Sequence, residues 1–198
     1  MPVDHYENFP VASLLVPRHL RPAVINIYRF ARSADDIADE GNANAETRLV
    51  QLNAYRRQLS AIQEDACPLS ASDPLAGIFL PLKKTIQTHQ LSIEPFFDLL
   101  SAFSQDVQKT RYADDQELLD YCSRSANPVG RLMLQLYQAD NPANRSLSDA
   151  ICTGLQLTNF WQDVAIDWRK ERVYLPQSAM QSCGVTETHI AEGRCDEA

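Results

Sequence analysis

Apolar residues recur at three- and four-residue intervals through almost the whole chain, and no stretch alternates apolar with polar residues as a sheet strand would. A chain patterned in this way has to bury helical stripes against one another, which predicts an all-α, single-domain helical bundle spanning residues 1–198. The first long helix is predicted from about Arg18 to Glu40, with Leu20, Val24, Ile27, Ala31, Ala34 and Ala38 as its stripe, Pro22 in its first turn and Gly41 as its stop. Further helices are predicted over Glu46–Glu64, Leu75–His89 with a bend at Pro81, and Ile93–Lys109. A fifth is read over Asp115–Ala139 with a break near Asn127, Pro128 and Gly130, and a sixth over Leu147–Lys170. Beyond Met180 the pattern is weak, although the last residues resemble the start of a helix.

Two of these helices carry rows of acidic and amide side chains. In YRFARSADDIADE, Tyr28, Arg32, Asp35 and Asp39 fall at i, i+4, i+7 and i+11, a narrow stripe at about 100° per residue; Asp36 points elsewhere. Asp35 and Asp39 are one turn apart. Like charges at that spacing cost about 0.2–0.5 kcal/mol, so an isolated helix gains nothing from them. Acidic residues near a helix C-terminus also oppose the macrodipole, which argues against a capping role. On its own this row fits a solvated acidic face as well as it fits metal chelation.

The second row tips the balance. In GLQLTNFWQDVAIDWRKERVYLP, Gln156, Asn159, Asp163 and Asp167 fall at i, i+3, i+7 and i+11. Their neighbours Leu155, Phe160 and Ile166 are apolar, so this helix is expected to be largely buried, with its polar row facing a cation or a cavity. Oxygen donors without Cys or His select Mg²⁺, which binds one or two carboxylates and completes its shell with water and phosphate oxygens. Two such rows facing each other would clamp a diphosphate and neutralise it as a leaving group. A di-iron bundle requires Glu-x-x-His pairs, and none of His5, His19, His89 and His189 has a Glu three residues before it.

The net charge of −8 and the absence of a basic block exclude nucleic acid as the main partner. Five cysteines without a C-x-x-C pair argue against zinc and against a disulfide framework, and favour a reducing cytoplasm. No basic segment followed by an apolar core opens the chain, and no apolar run is long enough to span a bilayer, although an apolar substrate would be met near a membrane surface.

The paired motifs YRFARSADDIADE and NFWQDVAIDWRKERVYLP, with the opening HYENFPVAS, resemble those of the squalene and phytoene synthases, and most closely the bacterial hydroxysqualene synthase branch. The resemblance runs from about Tyr6 to Pro176. It implies an isoprenoid (terpenoid) synthase bundle with a central cavity. It implies Mg²⁺ ligands at Asp35, Asp39, Asn159, Asp163 and Asp167. Contacts to substrate are implied for Arg32, Asn8, Gln156, Arg172 and Tyr174, and catalytic roles for Tyr121 and, on the first row, Tyr28. The implied substrate is a prenyl diphosphate, presqualene or farnesyl. In the hydroxysqualene branch, presqualene diphosphate ionises, the cyclopropylcarbinyl cation rearranges and water captures it.

Phe30, Tyr121, Phe160 and Trp161 supply aromatic rings near the expected site, with Phe30 and Trp161 read as core; Asp106 is read as near the substrate or on the surface. Glu7 and Asn8 stand where condensing synthases show a Ser-rich opening, which favours a single-diphosphate step. The family pattern continues with further C-terminal helices beyond Ala198, so the resemblance implies a bundle lacking one wall, with apolar surface exposed there. The competing expectations are a condensing synthase making presqualene diphosphate, squalene or phytoene, and a non-catalytic helical assembly factor of the same fold. Other enzymes of the squalene pathway, and a peripheral position on the inner membrane, are the partners and placement the resemblance suggests.

Overall fold

Helix α1 (Arg21–Asp39) begins with Pro22 in its first turn and buries Ala23, Val24, Ile27, Phe30, Ala34 and Ala38, the stripe expected from the sequence. It ends where Glu40 turns extended and Gly41 takes a left-handed φ of 73°. The structure is a computed structural model and describes residues 16–66, 69–70 and 72–194. α2 (Ala45–Gln63) starts on Asn44, whose side chain accepts from the Thr47 amide at 2.8 Å. α3 (Ala76–His89) runs on through Pro81, whose carbonyl accepts from the Thr85 hydroxyl at 3.0 Å. α4 (Glu94–Asp106) again has proline in its first turn.

The fifth predicted helix is two: α5 (Asp115–Ser125) and α6 (Asn127–Leu136), separated at Ala126, with Pro128 starting the second. Pro128 has no N–H to give the Arg124 carbonyl and its ring crowds that carbonyl, so α5 cannot run through it and the break falls where the sequence suggested. α7 (Pro142–Gln162) is followed by α8 (Val164–Arg169), so the sixth predicted helix is interrupted at Asp163. α9 (Gln177–Ser182) and α10 (Glu187–Glu192) lie in the weakly patterned tail, the latter within the segment read as a helix start. Among the described residues there is no strand, only a parallel bridge between Arg111 and Val173.

α1 packs against α2, α3 and α4; α4 packs against α5 and α6; and α7 packs against α5 and α6. One core centres on Phe30, whose ring meets Tyr55, Phe79 and Phe96 with centroids 5.4–6.0 Å apart. The other is aromatic and smaller: Tyr112, Tyr121, Phe160 and Tyr174 with Ala102, Leu118 and Cys122. α6 and α7 approach closely at Gly130, where a Cβ would stand 2.7 Å from the Cys152 sulfur and closer still to the Ser148 hydroxyl, so a larger residue obliges those side chains to turn aside.

The expectation that the sixth helix is largely buried is corrected. Phe160 is the single buried residue described on α7, whereas Leu147, Ile151, Leu155, Trp161 and, on α8, Ile166 are each more than half exposed. α7 has helical neighbours on one side, and its other apolar face meets none among the described residues. Trp161 therefore stands on the surface, while Phe30 is core as read.

Candidate active site

The segment after α8 sets the geometry. Glu171 adopts a left-handed φ of 60°, turning the chain back on itself. Residues 172–178 then lie alongside 110–113, fixed by amide bonds from Val173 to the Thr110 carbonyl (3.0 Å), Gln177 to Tyr112 (2.9 Å) and Ser178 to Ala113 (3.0 Å). Arg111 staples the turn: it donates to the Glu171 carbonyl at 2.6 Å and forks onto Glu187 of α10. The turn and this strap bring Lys170 and Arg172 to the last turn of α1 and Tyr174 to the end of α4.

Asp39 is the meeting point. Lys170 Nζ donates to one of its oxygens at 2.9 Å and Arg172 to the other. Burial alone would push the Asp39 carboxyl up, but Arg172 and Lys170 outweigh it and hold it below the usual carboxylate range. Asp35, one turn earlier, is raised to about 6, by burial first and by the Asp39 charge second; Arg32, 3.2 Å away, pulls the other way. Arg32 also pairs with Asp36 at 2.9 Å, so the guanidinium expected to meet diphosphate is oriented by two carboxylates. Asp167 on α8 is raised to about 6, by burial and then by Asp163, with Asp39 of the opposite row contributing. The two acidic rows thus feel each other's charge across the strap.

Asp163 occupies the joint between α7 and α8. Its amide donates to the Asn159 carbonyl at 2.9 Å and its own carbonyl accepts from Asp167 at 2.8 Å, so the helical register survives the interruption and the row stays aligned. Asn159, Asp163 and Asp167 are all half-buried. Gln156 is half-buried on α7, and no hydrogen bond joins it to this network among the described residues. Tyr28 is half-buried on α1, one turn before Arg32. Asn8 lies outside the described residues.

Behind the ion pairs stands the aromatic cluster. Phe160 and Tyr174 stack at 3.9 Å with planes 6° apart, and Tyr121 and Tyr112 each lie 5.6–5.8 Å from Tyr174. Asp106, 7% exposed, accepts from the Tyr121 hydroxyl at 2.7 Å and the Tyr174 hydroxyl at 3.3 Å. Its backbone carbonyl accepts from Arg172 at 3.2 Å. Burial raises the Asp106 carboxyl to about 7 against the opposing pull of Tyr121 and Arg172.

Sequence reasoning missed Lys170 and Tyr112 and left Asp106 undecided. Lys170 follows Asp167 by three residues, a spacing that places it on the same face. Asp106 closes α4 at the end where the dipole disfavours an acid, a hint that something else holds it. The surface hollow of about 430 Å³ on α2, lined by Asn53, Arg56, Arg57, Ser60, Ala61 and Glu64, includes none of these residues.

The donor set fits a hard divalent cation: oxygen ligands, two of them, Asp35 and Asp167, protonated more readily than usual because they are buried and, second, because a neighbouring carboxylate faces each. Among the described residues no three acidic, histidine or cysteine side chains converge on one point. A cation here would complete its shell with water and substrate oxygens, as Mg²⁺ does at phosphate sites.

These carboxyls make stability pH-dependent. Folded Asp35, Asp106 and Asp167 keep protons that the unfolded chain, with Asp near 3.9, has already released. Stability is therefore expected to fall as pH rises from about 4 to about 7. Asp39, held low, is ionised in both states over that window and adds no slope. Urea unfolding at a series of pH values in metal-free buffer checks this; stability that rises across the window would contradict it.

The chain is similar to several known proteins. A hydroxysqualene synthase of Zymomonas mobilis is 39% identical over 183 residues, 91% of this chain and 58% of the relative. A presqualene diphosphate synthase of Rhodopseudomonas palustris is 31% identical over 91% of this chain and 62% of its own length. The crystal structure of squalene synthase HpnC from Alicyclobacillus acidocaldarius superposes with a TM-score of 0.84 at 37% identity, covering 98% of this chain and 70% of that one. The chain thus spans roughly three-fifths of the curated relatives it matches. The family model for squalene/phytoene synthase matches residues 3–198, and with the helical architecture shared with solved members this chain belongs to the squalene/phytoene synthase family.

Proposed function

We propose that the chain carries the ionising site of a Mg²⁺-dependent synthase that converts presqualene diphosphate to hydroxysqualene. The observation that carries this reading is the joint at Asp39, where one acidic row meets the cationic strap of the other beside a cluster of aromatic rings. The higher identity to a hydroxysqualene synthase than to a presqualene diphosphate synthase supports the choice of step.

Asp35 and Asp39 on one side, and Asn159, Asp163 and Asp167 on the other, would hold the metal. Bound there, Mg²⁺ supplies Lewis-acid neutralisation of the departing diphosphate. The chain's own residues do the rest. Arg32, Lys170 and Arg172 offer cationic donors to the diphosphate oxygens, and Arg172 and Lys170 exchange Asp39 for substrate at little electrostatic cost. The C–O bond breaks with its electron pair leaving on diphosphate. The faces of Tyr121, Phe160 and Tyr174 attract the positive charge left behind. The rearranged cation takes the oxygen of a water molecule, and the surplus proton leaves with the diphosphate or to solvent. Tyr28, Gln156 and Asn8 are assigned to the substrate-facing lining on the family resemblance. The 198 residues are proposed to act as one helical domain.

Product analysis tests the reading. Incubation with Mg²⁺ and presqualene diphosphate, without farnesyl diphosphate, is expected to yield hydroxysqualene and inorganic diphosphate. Consumption of farnesyl diphosphate alone, giving presqualene diphosphate, squalene or phytoene, would replace it with the condensing reading. A second expectation is physical. Mg²⁺ with a non-hydrolysable diphosphate analogue at about 100 times its Kd stabilises the fold by about 2.7 kcal/mol, a rise of several degrees in Tm. No shift, in a folded sample, would favour a non-catalytic assembly factor. Contact with a membrane surface remains part of the proposal; no described helix is long and apolar enough to cross one.

A further inference from the structure

Asp106 touches three parts of the site at once. It closes α4, and one carboxylate oxygen accepts from Tyr121 of α5 while the other accepts from Tyr174 of the strap. Its backbone carbonyl accepts from the same Arg172 guanidinium that holds Asp39. The two tyrosines belong to the stacked cluster with Phe160 and Tyr112, where rings in van der Waals contact have no other directional restraint on their tilt. A phenol whose proton is committed to a fixed acceptor has its hydroxyl end pinned, and because the O–H prefers to lie in the ring plane, the tilt of the ring is biased as well. Burying a carboxyl this deeply is costly, and an apolar residue of the same size commonly serves stability as well or better. Packing alone therefore does not account for an acid at this position.

We propose, building on the function argued above, that Asp106 is a positioning residue: it locks the Tyr121 and Tyr174 hydroxyls so that their ring faces meet the carbocation, and it ties that aromatic wall to Arg172. Diphosphate departure and charge stabilisation are then coupled through one side chain. Movement of Arg172 toward the leaving group is registered by the residue that holds the rings.

The test compares Asp106→Asn with the paired variant Tyr121→Phe/Tyr174→Phe, each assayed on presqualene diphosphate with Mg²⁺. Asparagine keeps the shape but accepts through one atom only. Turnover is expected to fall about 10- to 100-fold in Asp106→Asn, with KM within about two-fold and a melting temperature equal to or above that of the parent. The paired phenylalanine variant should lose turnover to a similar degree, and combining all three changes should add little, because they remove the same restraint. Both variants should also release a larger share of alcohols and alkenes other than hydroxysqualene.

Folded Asp106→Asn with kcat within two-fold of the parent overturns the proposal, and so does a loss that appears in KM alone. Should Asp106→Asn fail to fold, the phenylalanine pair decides: unchanged kcat there overturns it too. A parent chain that is folded and ionises no prenyl diphosphate overturns the functional reading and this inference together. An active parent with indifferent variants overturns the inference alone.

Discussion

Asp35→Asn and Asp163→Asn are each expected to lower turnover of the prenyl diphosphate by about 10³-fold, equivalent to about 4 kcal/mol of transition-state stabilisation. Both residues belong to the acidic rows, and an amide offers a metal one neutral oxygen where a carboxylate offers a charge. The fold should survive the change. Asp35 sits one turn from Asp39 and is raised to about 6 by burial and that neighbour, so removing its charge relieves repulsion. Asp163 presses in the same way on Asp167. The backbone bonds that keep α7 and α8 in register pass through the Asp163 main chain and are untouched by the substitution. The check is steady-state turnover beside a thermal melt. Near-parental kcat in both variants would remove these carboxylates from the metal site, and loss of folding in both would make their role structural.

Phe30→Ala carries the largest expected loss of stability, about 3–5 kcal/mol. The ring is fully buried and meets Tyr55, Phe79 and Phe96, three rings contributed by α2, α3 and α4. Truncation leaves a cavity that these large neighbours cannot close without giving up their own edge-to-face contacts. Against a total stability of about 5–15 kcal/mol for an ordinary domain, such a loss decides whether the chain folds at 37 °C. Chemical denaturation measures it, and a change below about 1 kcal/mol would show that the four rings repack freely.

The two variants separate what the sequence made legible from what it did not. The α1 row was readable because helical spacing alone brings Asp35 and Asp39 to one face, and Phe30 was readable as core because it shares the stripe of Ile27 and Ala34. The ends of α1 followed from Pro22 and Gly41, local signals that act within one turn. Long-range contacts leave no such trace. Nothing local says that Lys170 reaches Asp39, or that Asp106 takes the hydroxyls of two tyrosines 15 and 68 positions away. The exposure of Leu147, Ile151 and Leu155 was hidden for the opposite reason: an apolar stripe states that a helix wants a partner, not whether one is present.

The ion pairs at Asp39 join residues 131 and 133 positions apart. A chain emerging from the ribosome can nucleate α1 to α4 from neighbouring segments, but the clasp over the acidic rows must wait until residues 170–174 have been synthesised, about 3–14 s after α4 at ordinary elongation rates. Until then those carboxylates stay hydrated and repel one another. Closure of the acidic rows is thus a late event relative to the collapse of α1 to α4, and a nascent bundle stalled before residue 170 would be collapsed yet unclasped.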